Sequence, residues 1–206
     1  MKARSSRFAK KESYMITWEM KRVLPLALAA FAAVACSPPV GAQAQPGLTL
    51  STTAFGDGGI IPDKYTAAAS ATTVSPKLTW TDVPGGVVTF VLLEHDPDTS
   101  VNKTTAEILH WMMFNIPGAT RELPEGVPVQ ARRPDGSIQG LNYLHKAGYA
   151  GMGAPAPGPD HHYTFELFAL DTKLNLGAST TQAELLKAMD GHVIAKAVVV
   201  GRFHLP

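Results

Sequence analysis

Val87-Val88-Thr89-Phe90-Val91-Leu92-Leu93-Glu94 runs directly into His95-Asp96-Pro97-Asp98. The first stretch is apolar, β-branched and aromatic, and has the length of a strand buried on both faces. Polar residues then begin abruptly, and Pro97 stiffens the chain where the strand ends. Upstream, the turn Val83-Pro84-Gly85-Gly86 separates this strand from a short one at Leu78-Thr79-Trp80. Downstream, Ile108–Ile116 is a second apolar run of strand length, closed by Pro117-Gly118. Leu48–Thr52 alternates as an edge strand does. His162–Leu170 also alternates, with Tyr163, Phe165, Leu167 and Ala169 on one side.

Between these runs the chain reads as loop. Phe55–Thr73 contains Gly58-Gly59 and Pro62, and Pro124, Pro128 and Pro134 keep 121–140 irregular. One helix is signalled: Thr181 followed by Glu184 has capping-box spacing, and Ala183, Leu185, Leu186 and Met189 supply an apolar face. Gly191 stops it. Val193–Ala197 reads either as a further helical turn or as the approach to a terminal strand at Val198–Phe203. No strand–helix alternation repeats, which excludes a doubly wound sheet. The expected fold is mainly β, an antiparallel sandwich with peripheral C-terminal helices.

The N-terminal 44 residues read as an address. Lys21-Arg22, the apolar run Val23–Ala35 and the small residues Ala42-Gln43-Ala44 follow the order of a secretory signal peptide. The run is about 13 residues, shorter than the ~20 that span a bilayer. Met1–Glu19 is a polar extension before it, and cleavage is expected after Ala44. That leaves residues 45–206 as one domain in the periplasm or medium. Cys36 is the one cysteine. It is either discarded with the leader or, since Ala33-Val34-Ala35-Cys36 loosely resembles a lipobox, a lipid anchor. Without residues 1–44, 11 basic and 15 acidic residues remain, a net charge of about −4. With no basic patch, nucleic acid is excluded as a partner.

Three pieces carry candidate chemistry. Asp96 and Asp98 flank Pro97 at a strand end, where an Asp ordinarily bonds its own backbone. His110, beside Trp111, lies within an apolar strand, where a polar ring needs a hydrogen-bond partner. The third piece is the Gly/Pro loop Gly148–Asp160, with Gly151 and Gly153, running into His161-His162-Tyr163. Such a loop can hold amides inward beside imidazoles, a receptor for a small anion.

Taken together, these pieces resemble the phosphatidylethanolamine-binding protein family, also called Raf kinase inhibitor-like proteins. The resemblance rests on Asp96-Pro97-Asp98, His110-Trp111 with Asn115-Ile116-Pro117, Gly148-Tyr149-Ala150-Gly151, and His161-His162-Tyr163 leading to Phe168-Ala169-Leu170-Asp171. Met189-Asp190-Gly191-His192 and Val200-Gly201-Arg202-Phe203 extend it, and the His-Trp form is similar to the bacterial branch. It implies a β-sandwich whose pocket accepts phosphate-like groups through Asp96, Asp98, His110, the Gly151–Gly153 backbone, His161 and Tyr163. Trp111 would form an apolar wall. The chain departs from the pattern where Thr99-Ser100 replace the usual Ala-Pro, where Ala154 replaces a Pro, and in the polar link Thr99–Glu107.

The expected function is non-catalytic recognition of a small phosphate-like or carboxylate anion, with no cofactor. Asp96 would hold the His110 ring and favour its charged form, while Asp98 would orient the loop. The alternative is a protein-interaction module of the kinase- or protease-inhibitor kind, with a protein target. A homodimer is implied by resemblance alone. A metal site would draw on His95, Asp96, His110 and His161, whose spacing matches no compact metal motif. A serine hydrolase would need an elbow of the Gly-x-Ser-x-Gly kind, which the sequence lacks.

Overall fold

The computed structural model describes residues 47–206. The leader, its cleavage point and Cys36 lie outside the described residues. Among those described, the strands are β1 (Thr49–Ser51), β2 (Gly59–Ile60), β3 (Leu78–Thr81), β4 (Thr89–Asp96), β5 (Ile108–Pro117), β6 (Glu122–Leu123), β7 (Ile138–Gln139), β8 (His161–Leu170) and β9 (Val193–Phe203). The helix α1 (Gln182–Met189) precedes β9. A six-stranded sheet runs β2-β9-β8-β4-β5-β7, and a three-stranded sheet runs β1-β3-β6. The fold is mainly β. Its pairings are antiparallel apart from β2 with β9, which is parallel, so the larger sheet is mixed at one edge.

β4 is central, with β5 on one side and β8 on the other. Phe90 and Leu92 face a core shared with Leu50, Leu78, Trp80 and Leu123 of the small sheet. Val91 and Leu93 face the opposite core, which α1 closes with Leu185 and Met189. A strand covered on both faces has no polar side to show, which is why 87–94 is continuously apolar. On β8 the alternation holds: Tyr163, Phe165, Leu167 and Ala169 are all buried.

The helix begins as its sequence signals. The Thr181 side chain accepts from the Glu184 amide, and the Glu184 side chain accepts from the Thr181 amide. Ala183 and Leu186, however, are exposed. Two turns of helix offer one narrow contact line, and the i, i+4 pair Leu185 and Met189 fills it. Of the expected C-terminal helices, one forms. Val193–Ala197 is strand, pairing with β8 from Val193 opposite Leu170 to Ala197 opposite Leu167. β8 needs a ladder partner on that edge, and β-branched residues suit the pleat.

Two irregularities on β5 shape the site. Phe90 pairs with Ile116 and Leu92 with Met113, so β5 carries an extra residue there. Asn115 takes it up with φ 56°, a value Asn tolerates. Its side chain bonds both the Leu174 carbonyl (2.9 Å) and the Leu174 amide (2.8 Å). Further along, Glu94 pairs with Trp111 but His95 pairs with Leu109, and His110 is passed over. That bulge breaks the alternation of faces.

Candidate functional site

The bulge explains why neighbours His110 and Trp111 both lie on the small-sheet side of β5. Trp111 joins the core cluster there. The His110 ring lies 5.4 Å from the Tyr163 ring, edge to face, and 5.1 Å from Tyr143. His110 Nδ1 is 3.0 Å from the Ala150 carbonyl oxygen, so that nitrogen carries the proton and donates. Nε2 is left for other partners. Burial pushes the imidazolium below its usual value; the Ala150 carbonyl and the Asp96 charge oppose that only in part.

Asp96 is the hub. Its Oδ1 accepts the Asp98 amide at 2.9 Å, an Asx-turn that Pro97 stiffens. Its Oδ2 accepts from Thr99 Oγ1 at 2.9 Å and from His161 Nδ1 at 2.9 Å. The turn role and the site role of this carboxylate therefore coexist. Asp96 holds His161 and not His110, which corrects the expectation for that pair. The physical reason is the strand register: β4 ends beside the start of β8, while the bulge turns His110 towards the Ala150 carbonyl. Asp98 reaches outward, where Oδ2 accepts from the His162 amide (2.7 Å) and Nδ1 (2.8 Å) and ties the turn to β8.

Tyr163 completes the group. It is fully buried by side chain, and its Oη accepts the Ala154 amide at 3.0 Å. Burial holds the phenol well above its usual value, so it keeps its proton. Asp96, Thr99, His110 and Tyr163 line one cavity of about 230 Å³. Ile108, Tyr143 and Gly153–Pro155 form its remaining walls.

Not every expected residue reaches this hollow. Trp111 is buried against Tyr149, with Nε1 donating to Gln139 Oε1 at 2.8 Å, so it does not line the cavity. Gly151 is not among the residues that line it, although its backbone acts with Ala150 on the His110 ring. A Cβ there would come within 2.7 Å of the Thr66 carbonyl carbon and 2.9 Å of the Ala67 nitrogen, so only glycine permits this approach. Gly153 does line the cavity, but the neighbouring Ala154 amide is engaged by Tyr163 and offers nothing to an anion. Sequence reasoning missed Thr99, Tyr143 and the Ala150 carbonyl. Thr99 was visible as the fourth residue of an Asp-initiated turn; the other two depend on distant chain and left no local signal. Among the described residues, no three His, Cys, Asp or Glu side chains are grouped to share a metal ion.

The strand ends of this mainly β protein thus gather an imidazole, a buried carboxylate and a phenol at one small cavity, with the second expected imidazole, His161, bonded to the carboxylate but outside the lining. The sequence profile of the phosphatidylethanolamine-binding protein family matches residues 51–204, and the chain belongs to that family. A UPF0098 protein of Methanothermobacter thermautotrophicus is 40% identical over 156 residues, 76% of this chain and 98% of its own. A phosphatidylethanolamine-binding protein homologue of Chlamydia trachomatis superposes with TM-score 0.67 at 32% identity, covering 78% of this chain and 99% of its own. Escherichia coli YbcL gives TM-score 0.68 at 26% identity, with coverage of 78% and 99%.

Proposed function

We propose that this protein is a non-catalytic receptor for a small phosphate-like or carboxylate anion, acting in the periplasm or medium after export. The observation that carries the reading is the convergence of Asp96, His110 and Tyr163 at one cavity of about 230 Å³, with His161 bonded to Asp96 but outside the lining. The Tyr163 hydroxyl keeps its proton and can donate. His110 Nε2 donates only when the ring is charged, and burial resists that in the empty site. A bound anion restores the charge, so binding takes up a proton and strengthens as pH falls. The negative charge of Asp96 is met by three donors of its own, which lessens its repulsion of a ligand. Thr99 is no nucleophile in this arrangement. Its hydroxyl approaches His161 Nδ1, the same nitrogen that Asp96 holds, whereas a relay needs the two on opposite ring nitrogens.

Calorimetry with sulfate, whose charge is fixed between pH 6 and pH 8, tests this. Affinity should be greater at pH 6, up to about tenfold per pH unit while the empty site is neutral, with proton uptake seen as a buffer-dependent heat. Absence of heat at either pH, or undiminished binding by His110→Ala, removes the reading. Export is tested separately: the mass of the protein recovered from periplasm should correspond to a chain starting at Gln45.

A further inference from the structure

A second cavity of about 420 Å³ lies next to the first, and the two share Ile108 and Tyr143 as common wall. Its other apolar surface comes from Val101, Leu109 and Leu141. The polar groups around it are largely engaged elsewhere. Asn142 Nδ2 donates to the Gly148 carbonyl, and its Oδ1 accepts the amides of Leu144 and Lys146. Thr181 is held in the capping box, and Glu107 pairs with His95, which leaves His145 and Gln182 as the remaining polar residues of the lining. What the cavity presents is therefore mainly hydrocarbon.

Its walls are also fixed. The Tyr143 amide donates to the Leu109 carbonyl at 2.8 Å, and Asn142 closes the turn 142–146 through the Lys146 carbonyl at 2.9 Å. Tyr143 thus stands in a pinned turn, its ring tilted 5.1 Å from that of His110 and exposed at the rim of both cavities, so it forms a ridge open to solvent. An anion seated against His110 and Tyr163 has this hydrocarbon surface beside it, across one aromatic ring and one isoleucine.

We propose that the larger cavity is a second subsite, occupied by a short apolar substituent on the same anion. This rests on the anion reading and narrows it: the ligand class is a small amphiphilic phosphate monoester. The volume suits a compact group, since a cavity of roughly 150 Å³ already accepts benzene. It lies in the size range of small-molecule sites, and commits the protein to a soluble ligand over a bilayer lipid.

The test compares inorganic phosphate, n-butyl phosphate and n-butanol by calorimetry at pH 6. Burying a methylene strengthens binding about fourfold, so a partly covered butyl chain should make n-butyl phosphate at least tenfold tighter than phosphate. Val101→Asp, which places a charge in the apolar wall, and Gln182→Trp, which fills the cavity from α1, should each abolish that gain. Both should leave phosphate binding unchanged, which also reports that they fold. Equal affinity for phosphate and n-butyl phosphate overturns the subsite and leaves the anion reading standing. Binding of neither anion overturns both. Binding of n-butanol as tight as n-butyl phosphate overturns the coupling of the two cavities. Displacement of n-butyl phosphate by phosphatidylethanolamine vesicles overturns the assignment to a soluble ligand.

Discussion

Glu94→Gln should make this protein more stable at neutral pH, by an amount the structure allows to be worked out. Glu94 sits on β4 between Trp111 and Phe165, with no exposed surface. Neither carboxyl oxygen has a hydrogen-bond partner. Burial, and then the charge of Asp96, drive its carboxyl well above the usual value of 4.5. The folded protein therefore holds a proton that the unfolded chain releases once the pH exceeds that value. Stability is complete below it and falls as pH rises, by about 1.4 kcal/mol per pH unit while the folded carboxyl stays protonated. That slope is large against the roughly 5–15 kcal/mol typical of a domain. Gln has nearly the same shape and carries no charge at any pH. Urea unfolding of both proteins at pH 4.5, 5.5, 6.5 and 7.5, followed by tryptophan fluorescence, isolates the effect, because every other group titrates in both. The curves should meet near pH 4.5 and diverge above it. Parallel curves, or a mutant less stable at pH 7, would show that Glu94 is not a neutral buried acid.

Two further outcomes are expected. His95 stands between Glu107 and Glu166; burial pulls its ring down, but the two carboxylates outweigh that and hold it above the usual value. Its contribution is complete below about pH 6.5 and is lost as pH rises through the folded value. His95→Gln should lower the melting temperature more at pH 5.5 than at pH 9, and equal losses at both would discount the ion pairs. Tyr163→Phe removes the acceptor of the buried Ala154 amide. It should cost about 1–3 kcal/mol in denaturant melts and speed hydrogen exchange at that amide; an unchanged exchange rate would refute the contact.

How far the sequence could be read follows from where each signal resides. β4, β5 and β8 were legible because burial of one or both faces is written into consecutive residues. The two-residue strands β2, β6 and β7 were not, since a ladder that short leaves no periodicity. Val193–Ala197 was ambiguous for a different reason. Its residues are exposed at Val193, Ile194 and Lys196, so the apolar spacing matched neither template until β8 supplied a partner. In the site, Asp96 and His110 stood out by type and setting and His161 and Tyr163 by the family resemblance; the structure brings Asp96, His110 and Tyr163 to one cavity and bonds His161 to Asp96. Which imidazole Asp96 would hold was not, because it depends on a bulge, and a bulge is a property of two strands. The same bulge puts Trp111 into the core, where adjacency to His110 in sequence had suggested a cavity wall.

The positions that depart from the family pattern are informative in turn. The Asp-Pro-Asp motif, His110, His161 and Tyr163 match that pattern, and Asp96, His110 and Tyr163 of these line the smaller cavity. Thr99 and the polar link after it do not match. Yet Thr99 bonds Asp96, and Val101 and Glu107 of the link line the larger cavity beside it. Glu107 is fixed by His95 at the end of β4, the strand that also delivers Asp96. One strand end therefore sets both hollows: through Asp96 the polar one, and through His95 and Glu107 a wall of the apolar one. A change at Val101 or Glu107 therefore alters the apolar hollow and leaves Asp96, His110 and Tyr163 in place.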